Sequence, residues 1–273
     1  MKRAGVIGYP VDHSLSPVLQ NAALQELGID ATYELWPTAP EDLPARIASL
    51  REPGILGANV TVPHKQAVMD LVDSITDTAR RIGAVNTIVP SAEGLVGDNT
   101  DAYGFRTSIV EQIGTPLLRT AIILGAGGAS RAVIAGLQEM DATRIVITNR
   151  TDMKAASLAQ EFGIEMMPWE TVVEEGFLDA DFLVNATSLG WGDGETPVEP
   201  KALDHLPKSA VVMDLTYRPT ALLLAAGKRG HDVIDGLGML LHQGARSFSL
   251  WTGQEAPLAA MRSALIEEQA RRG

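Results

Sequence analysis

Ile122-Ile123-Leu124-Gly125-Ala126-Gly127-Gly128-Ala129-Ser130-Arg131-Ala132 is an apolar run, a glycine turn and a helix start in immediate succession. The apolar run predicts a buried strand. Gly125 permits a tight turn, and Gly127 lets backbone approach a pyrophosphate. The free N–H groups of the next helix, beginning at Gly128 and Ala129, face the negative charge. Ser130 stands at the third position of the glycine pattern, where Gly or Ala is usual. The stretch predicts a dinucleotide-binding α/β unit. The end of the next predicted strand, Ile145-Val146-Ile147-Thr148-Asn149-Arg150-Thr151, carries Asn149 and Arg150 where an NAD site would place an Asp or Glu for the ribose hydroxyls. A carboxylate there would repel a 2′-phosphate, whereas one guanidinium hydrogen-bonded to it is worth about 1.5–3 kcal/mol. NADP is therefore favoured over NAD. Lys154, one helical turn along, could supply a second cation; read alone, Arg150 could equally be a solvated loop arginine.

The same grammar extends in both directions. Downstream, Arg144–Asn149, Asp181–Thr187, Val211–Tyr217 and Asp232–Gly236 read as strands with helical segments between them; upstream, Ala4–Val11, Pro17–Leu27 and Thr32–Trp36 read as strand, helix and strand. Each half can build its own parallel sheet. Ser16-Pro17 reads as an N-cap followed by proline at the first helical position, and Gly28 supplies the left-handed stop. A complete strand, glycine loop and helix restart beyond Gly114-Thr115-Pro116, so a domain boundary is expected on the helix from about Asp101 to Ile113. After Gly236 the pattern is helical throughout, in Leu237–Leu250 and Ala256–Arg271. Those helices must pack on something already built.

Composition excludes several classes. The 273 residues are 45% apolar and 21% charged, values typical of globular proteins and unlike disordered or collagenous chains. With 34 acidic and 22 basic residues the net charge of −12 repels nucleic acid and anionic membrane surfaces. Zero cysteines removes thiolate chemistry and disulfides, and His13, His64, His205, His231 and His242 show no metal-ligand spacing. Any redox step must use a borrowed cofactor. The apolar stretch after Met1-Lys2-Arg3 is broken too early for a signal peptide, and no run approaches the roughly 18 apolar residues of a membrane span. A cytoplasmic protein is expected.

The polar knots of the first half sit at predicted strand ends. In Ala58-Asn59-Val60-Thr61-Val62-Pro63-His64-Lys65 a helix is expected from Pro63, with Val68, Leu71 and Val72 on its apolar face. Lys65 would then lie in the first helical turn, where the macrodipole disfavours a cation by about 0.3–1 kcal/mol. An amine so placed can exchange a proton with a substrate hydroxyl, the step that accompanies hydride removal from an alcohol. A surface lysine snorkelling off a helix start fits the same residues. In Gly97-Asp98-Asn99-Thr100-Asp101-Ala102-Tyr103-Gly104, Asp101 is expected at a helix start, either as an ordinary first-turn carboxylate or as the partner of Lys65. Ser14 and Ser16 fit helix capping or a carboxylate ligand. Asn86-Thr87 fits turn chemistry or the same crevice.

Together these stretches resemble the shikimate dehydrogenase family over nearly the whole chain. The matching motifs are Gly8–Pro17, Asn59–Lys65, Gly83–Thr87, Asp98–Asp101, Gly125–Ala132, Asn149–Thr151, Asn185–Ser188, Gly236–Gln243 and Trp251–Gly253. The resemblance implies an open α/β substrate domain, residues 1–103, completed by the C-terminal helices of 238–273. It also implies a Rossmann-type doubly wound domain for NADP, residues 104–237. By it, Lys65 and Asp101 are the catalytic pair; Ser14, Ser16 and Tyr217 hold the substrate carboxylate; Thr61, Asn86, Asp101 and Gln243 bind ring hydroxyls. Cofactor contacts fall on Gly125, Ala126, Gly127, Gly128, Ala129, Asn149, Arg150, Thr151, Lys154, Thr187, Leu215 and Gly236. The reaction implied is reversible reduction of 3-dehydroshikimate to shikimate by NADPH, in a monomer or homodimer whose other partner is that small acid. Alternatives are a relative acting mainly on quinate and a non-catalytic NADP sensor of the same fold. Unaltered Ser16 argues against the first, and retention of Lys65 and Asp101 against the second. Read alone, Gln243 could be a helix-surface amide and Tyr217 a core-edge tyrosine. Gln20, Trp191, Lys154 and the shortened Tyr217–Thr220 segment depart from the family pattern.

Overall fold

A computed structural model describes residues 1–192 and 194–272. The chain divides into two compact units, residues 1–104 with 240–273, and residues 105–239.

The first unit runs β1 (Lys2–Gly8), α1 (Ser16–Glu26), β2 (Ala31–Pro37), α2 (Leu43–Ser49), β3 (Ile55–Val60), β4 (Ser74–Ile75), α3 (Asp77–Ile82), β5 (Thr87–Ser91) and β6 (Gly94–Asp98), then the start of α4 (Asp101–Ile113). Its sheet has the order β2-β1-β3-β5-β6-β4. The expected all-parallel sheet is corrected on one strand: β5 runs antiparallel to both β3 and β6. Ser91 pairs with Gly94, leaving Ala92-Glu93 as a two-residue connection, and so short a link can join antiparallel neighbours but never a parallel crossover. One face of this sheet buries Ile7, Trp36, Ile47, Leu50, Val60, Val85, Ile88 and Leu95 in a single cluster.

Two local expectations change. Helix α1 begins at Ser16 rather than Pro17, because Leu15 already has helical dihedrals (φ −88°, ψ −3°) and proline fits the second helical position. Ser16 is therefore not the cap; its N–H is taken by the Ser14 hydroxyl at 3.2 Å. No α-helix starts at Pro63. The chain makes turns through residue 66 and a single 3-10 turn at Ala67–Asp70. The Lys65 carbonyl, which a helix would need for Met69, instead accepts the Val85 N–H at 2.7 Å, and Met69 N–H goes to Gln66. Without a helix, the expected macrodipole at Lys65 is absent.

The second unit runs from Phe105 in α4 through β7 (Thr120–Leu124), α5 (Gly128–Glu139), β8 (Arg144–Thr148), α6 (Asp152–Phe162), β9 (Glu165–Met166), α7 (Trp169–Glu174), β10 (Phe182–Asn185), β11 (Val211–Asp214), α8 (Ala221–Lys228) and β12 (Asp232–Ile234). All its strands pair in parallel, in the order β12-β11-β10-β7-β8-β9. Read from the other edge this is the doubly wound order 3-2-1-4-5-6, with the switch point beside β7. Helices cover both faces, so the strands are apolar without alternation. Ala121 and Ile123 of β7 enter one core cluster with Ile145, Ile147, Phe182 and Val184, while Ile122 and Leu124 enter another with Val146 and Leu183.

The chain ends in α9 (Leu237–Thr252) and α10 (Leu258–Arg272), and α10 packs along α1 of the first unit, where the sequence lacked any further strand to receive it. No helix among the described residues is long and apolar enough to cross a membrane.

Candidate active site

In the first unit the ends of β3, β5 and β6 carry the polar residues. Thr61 follows β3, with its N–H on the Ile7 carbonyl, and its own carbonyl receives the His64 N–H. The His64 ring, buried, hydrogen-bonds the Thr38 carbonyl at 2.7 Å and so anchors the turn that presents Lys65. Asp101 is the first residue of α4, its N–H capped by the Asn99 side chain at 2.9 Å. Asn99 is tied in turn to the Ala84 carbonyl and to Asp98. The Lys65 ammonium and the Asp101 carboxylate meet at 2.6 Å, with side-chain exposures of 15% and 7%. Such a pair is largely withdrawn from water while the Lys65 side chain keeps some exposure, an arrangement that suits proton exchange with a bound hydroxyl.

Asn86 holds the other carboxylate oxygen. Its amide nitrogen donates to Asp101 Oδ1 at 2.8 Å, and its amide oxygen accepts the Thr100 N–H at 2.8 Å, which fixes the orientation of the amide. Gln243 of α9 reaches the same amide nitrogen at 3.4 Å and donates to the Leu240 carbonyl. Ser14, half-buried, and Ser16, buried, lie at the start of α1. The structure thus gathers Lys65, Asp101, Asn86 and Gln243 directly. Tyr217 belongs to the second unit, on the loop after β11, where its ring packs edge-on against Trp191 at 4.8 Å; its role toward a substrate rests on the resemblance alone.

Sequence reasoning missed the layer beneath. Ser247, fully buried on α9, bonds Asn59, Thr87 and Thr100 at 2.7–3.1 Å and lies 3.0 Å from the Gln243 carbonyl. Tyr33 of β2 donates its phenol to Asn59 at 2.8 Å. Burial pushes the Tyr33 phenol well above its ordinary range, partly opposed by a hydrogen bond with the Ser16 side chain. A polar residue on a helix otherwise rich in apolar residues was the available signal for Ser247. Nothing in the spacing of Tyr33 marked it.

In the second unit the glycine loop fits a dinucleotide. Gly125 adopts φ 105°, and a Cβ there would stand 2.8 Å from Thr187 and 3.1 Å from the backbone of Ala186. Beyond Gly127 no protein atom lies within 4 Å of where a Cβ would be, an open cradle at the N-terminus of α5. Ser130 is buried, donates to the Gly125 carbonyl at 2.8 Å and accepts the Gly127 N–H at 3.1 Å. A hydroxyl at this position therefore braces the turn. Gly236 lies so close to the Leu215 carbonyl that no side chain could intervene. Thr187 is held by Asn185, and Asn185 by the buried Asp214, two further residues that the sequence reading left without a task. Asn149 closes its own loop onto the Thr151 carbonyl at 3.0 Å. Arg150 and Lys154 are exposed and, among the described residues, form no ion pair. Met153 between them is also exposed.

Family models match over most of the chain: a shikimate dehydrogenase substrate binding domain at residues 6–88, a shikimate/quinate 5-dehydrogenase at 109–190 and a shikimate 5′-dehydrogenase C-terminal domain at 236–266. The protein named shikimate dehydrogenase (NADP(+)) of Synechocystis sp. is 42% identical over 97% of this chain and 95% of its own length. The chain belongs to the shikimate dehydrogenase family. Among solved members, the Thermus thermophilus shikimate 5-dehydrogenase in complex with NADP(H) and shikimate superposes with a TM-score of 0.88 at 39% identity, covering 98% of this chain and 99% of that one. The quinate dehydrogenase of Corynebacterium glutamicum in complex with NAD gives 0.89 at 30% identity, covering 97% and 99%. Shikimate dehydrogenases and a quinate dehydrogenase thus share one architecture, and the choice between their substrates lies in side chains.

Proposed function

We propose that this chain is an NADP-linked shikimate dehydrogenase, reversibly reducing 3-dehydroshikimate to shikimate, a step of aromatic biosynthesis. The observation that carries the reading is the Lys65–Asp101 pair at 2.6 Å, with Asn86 on the second carboxylate oxygen. In the reducing direction Lys65 Nζ gives a proton to the ketone oxygen as that oxygen gains charge; in the oxidising direction the neutral amine takes it from the hydroxyl. Asp101 stabilises the ammonium form and accepts a hydrogen bond from the substrate hydroxyl with a remaining lone pair. Thr61, Asn86 and Gln243 hold the other ring hydroxyls. Ser14 and Ser16 bind the substrate carboxylate; since Ser14 Oγ already accepts the Ser16 N–H, its own proton is left to donate.

The residues that would hold the cofactor are Gly125, Ala126, Gly127, Gly128 and Ala129 around the pyrophosphate. Asn149, Arg150, Thr151 and Lys154 would lie at the 2′-phosphate, and Thr187, Leu215 and Gly236 beyond. When bound, NADPH supplies the hydride. Arg150 and Lys154 are the reason for NADP rather than NAD.

The test is reduced-nicotinamide absorbance followed for shikimate and quinate, each with NADP and NAD. The highest kcat/KM is expected for shikimate with NADP. A higher value for quinate replaces the substrate assignment. Binding of NADPH without turnover of either acid makes the protein a sensor.

A further inference from the structure

We infer that Tyr33 is a positioning residue of the substrate site, its phenol setting the Asn59 amide that supports the Asn86–Asp101 pair. The inference rests on the substrate roles proposed above. Tyr33 and Asn59 are both buried, and their polar atoms are spent on one another and on buried protein groups.

The direction of each bond carries the argument. The phenol donates to Asn59 Oδ1 at 2.8 Å, which turns the Asn59 amide nitrogen the other way. That nitrogen faces the Asn86 carbonyl at 3.2 Å, Thr87 Oγ1 at 3.2 Å and Ser247 Oγ at 3.0 Å. Thr87, now an acceptor, gives its proton to Asn86 Oδ1 at 2.9 Å. That proton joins the Thr100 N–H on the same oxygen, and together they hold the Asn86 amide nitrogen toward Asp101. Burial keeps the Tyr33 phenol protonated and therefore a donor. Flipping Asn59 would set its oxygen against the Asn86 carbonyl, so the phenol and that carbonyl favour the same orientation from opposite ends of the amide. The Tyr33 ring is held independently of its hydroxyl, packed 6.0 Å from the Trp251 ring. Tyr33→Phe can therefore delete the hydroxyl and leave the packing.

The experiment is a double-mutant cycle of Tyr33→Phe and Asn59→Asp, measured as kcat/KM for shikimate and KM for NADP in the full-length protein. Losing one such hydrogen bond corresponds to a fall of about three- to tenfold in kcat/KM for shikimate. The KM for NADP should stay within twofold, and in the Asn59→Asp background the same substitution should cost less than twofold. Equal losses for shikimate and NADP, or the same fold loss in both backgrounds, would overturn the inference and leave Tyr33 a packing residue. Asn59→Asp probes the link from its other side, keeping the acceptor for the phenol and removing the donors; wild-type kcat/KM in that variant would also overturn it, even if Tyr33→Phe failed to fold. Wild-type turnover in the same series separates the two readings: a wild-type protein inert to shikimate refutes the proposed function and this inference with it, whereas an active wild type with indifferent variants refutes this inference alone.

Discussion

Truncating Lys65 to alanine separates two effects that the structure places on one residue. At 2.6 Å and an effective dielectric of about 20, the pair attracts with about 6 kcal/mol before desolvation is charged against it. Removing the amine strands Asp101, 5% exposed, with Asn86 as its remaining side-chain donor. Breaking a buried pair from one side costs about 3–5 kcal/mol. The 15% exposure of the Lys65 side chain admits water to the vacated space and places the cost at the lower end. Urea unfolding should therefore show a loss of about 3 kcal/mol. Turnover should fall about a hundred- to ten-thousand-fold, or roughly 2.7–5.4 kcal/mol of transition-state stabilisation, because a positioned acid-base group has been lost. NADPH affinity, read by fluorescence titration, should barely move. Replacing both partners with apolar residues, Lys65→Met with Asp101→Leu, should recover part of the stability and none of the activity. A folded Lys65→Ala protein with kcat within threefold of wild type would refute the reasoning, as would a tenfold loss of NADPH affinity.

Arg150→Ala should weaken NADPH about ten- to a hundredfold while leaving NADH nearly unchanged, measured by titration with each; equal losses would contradict the 2′-phosphate assignment. Gly236→Ala forces a Cβ into the Leu215 backbone, so the melting temperature should drop by an amount corresponding to about 2–3 kcal/mol, and a neutral outcome would show that the two loops part easily. Burial holds the Asp235 carboxyl above its ordinary range, against the pull of the Leu237 N–H. A raised folded-state value means that the native protein loses stability as pH climbs from the ordinary carboxylate range through that value. Asp235→Asn should accordingly melt higher than wild type at pH 7–8, with the difference closing below about pH 4; a gap independent of pH would remove the charge from the explanation.

The Rossmann-type unit was legible because its signals are local. A strand buried on both faces must be apolar at every position, and Ala121–Leu124 is; the glycine turn follows within two residues. Lys65 and Asp101 were also legible as types, each at a strand end. Their meeting was legible through the resemblance, since 36 residues separate them and no spacing rule reaches that far. Two local readings failed where tertiary contacts overrode them. Pro63 looked like a helix start until the Val85 N–H claimed the Lys65 carbonyl, and Ser16 looked like a cap until Ser14 took that part. The direction of β5 depended on counting two loop residues at Ala92-Glu93. The layer of Tyr33, Asn59, Thr87, Thr100 and Ser247 was hidden for a different reason. Hydroxyls and amides are frequent on surfaces, and burial, which makes them informative, appears only in three dimensions.

Residues 240–273 complete the first unit although the whole second unit precedes them in the chain. Ribosomal synthesis runs from the N-terminus, so Asn59, Thr87 and Thr100 emerge long before Ser247 exists to satisfy them. Until the last helices leave the exit tunnel, those groups stay hydrated and α1 lacks its cover, while residues 105–239 already hold everything their own core needs. The later part of this polypeptide is thus free to fold first, and the earlier part waits for the tail.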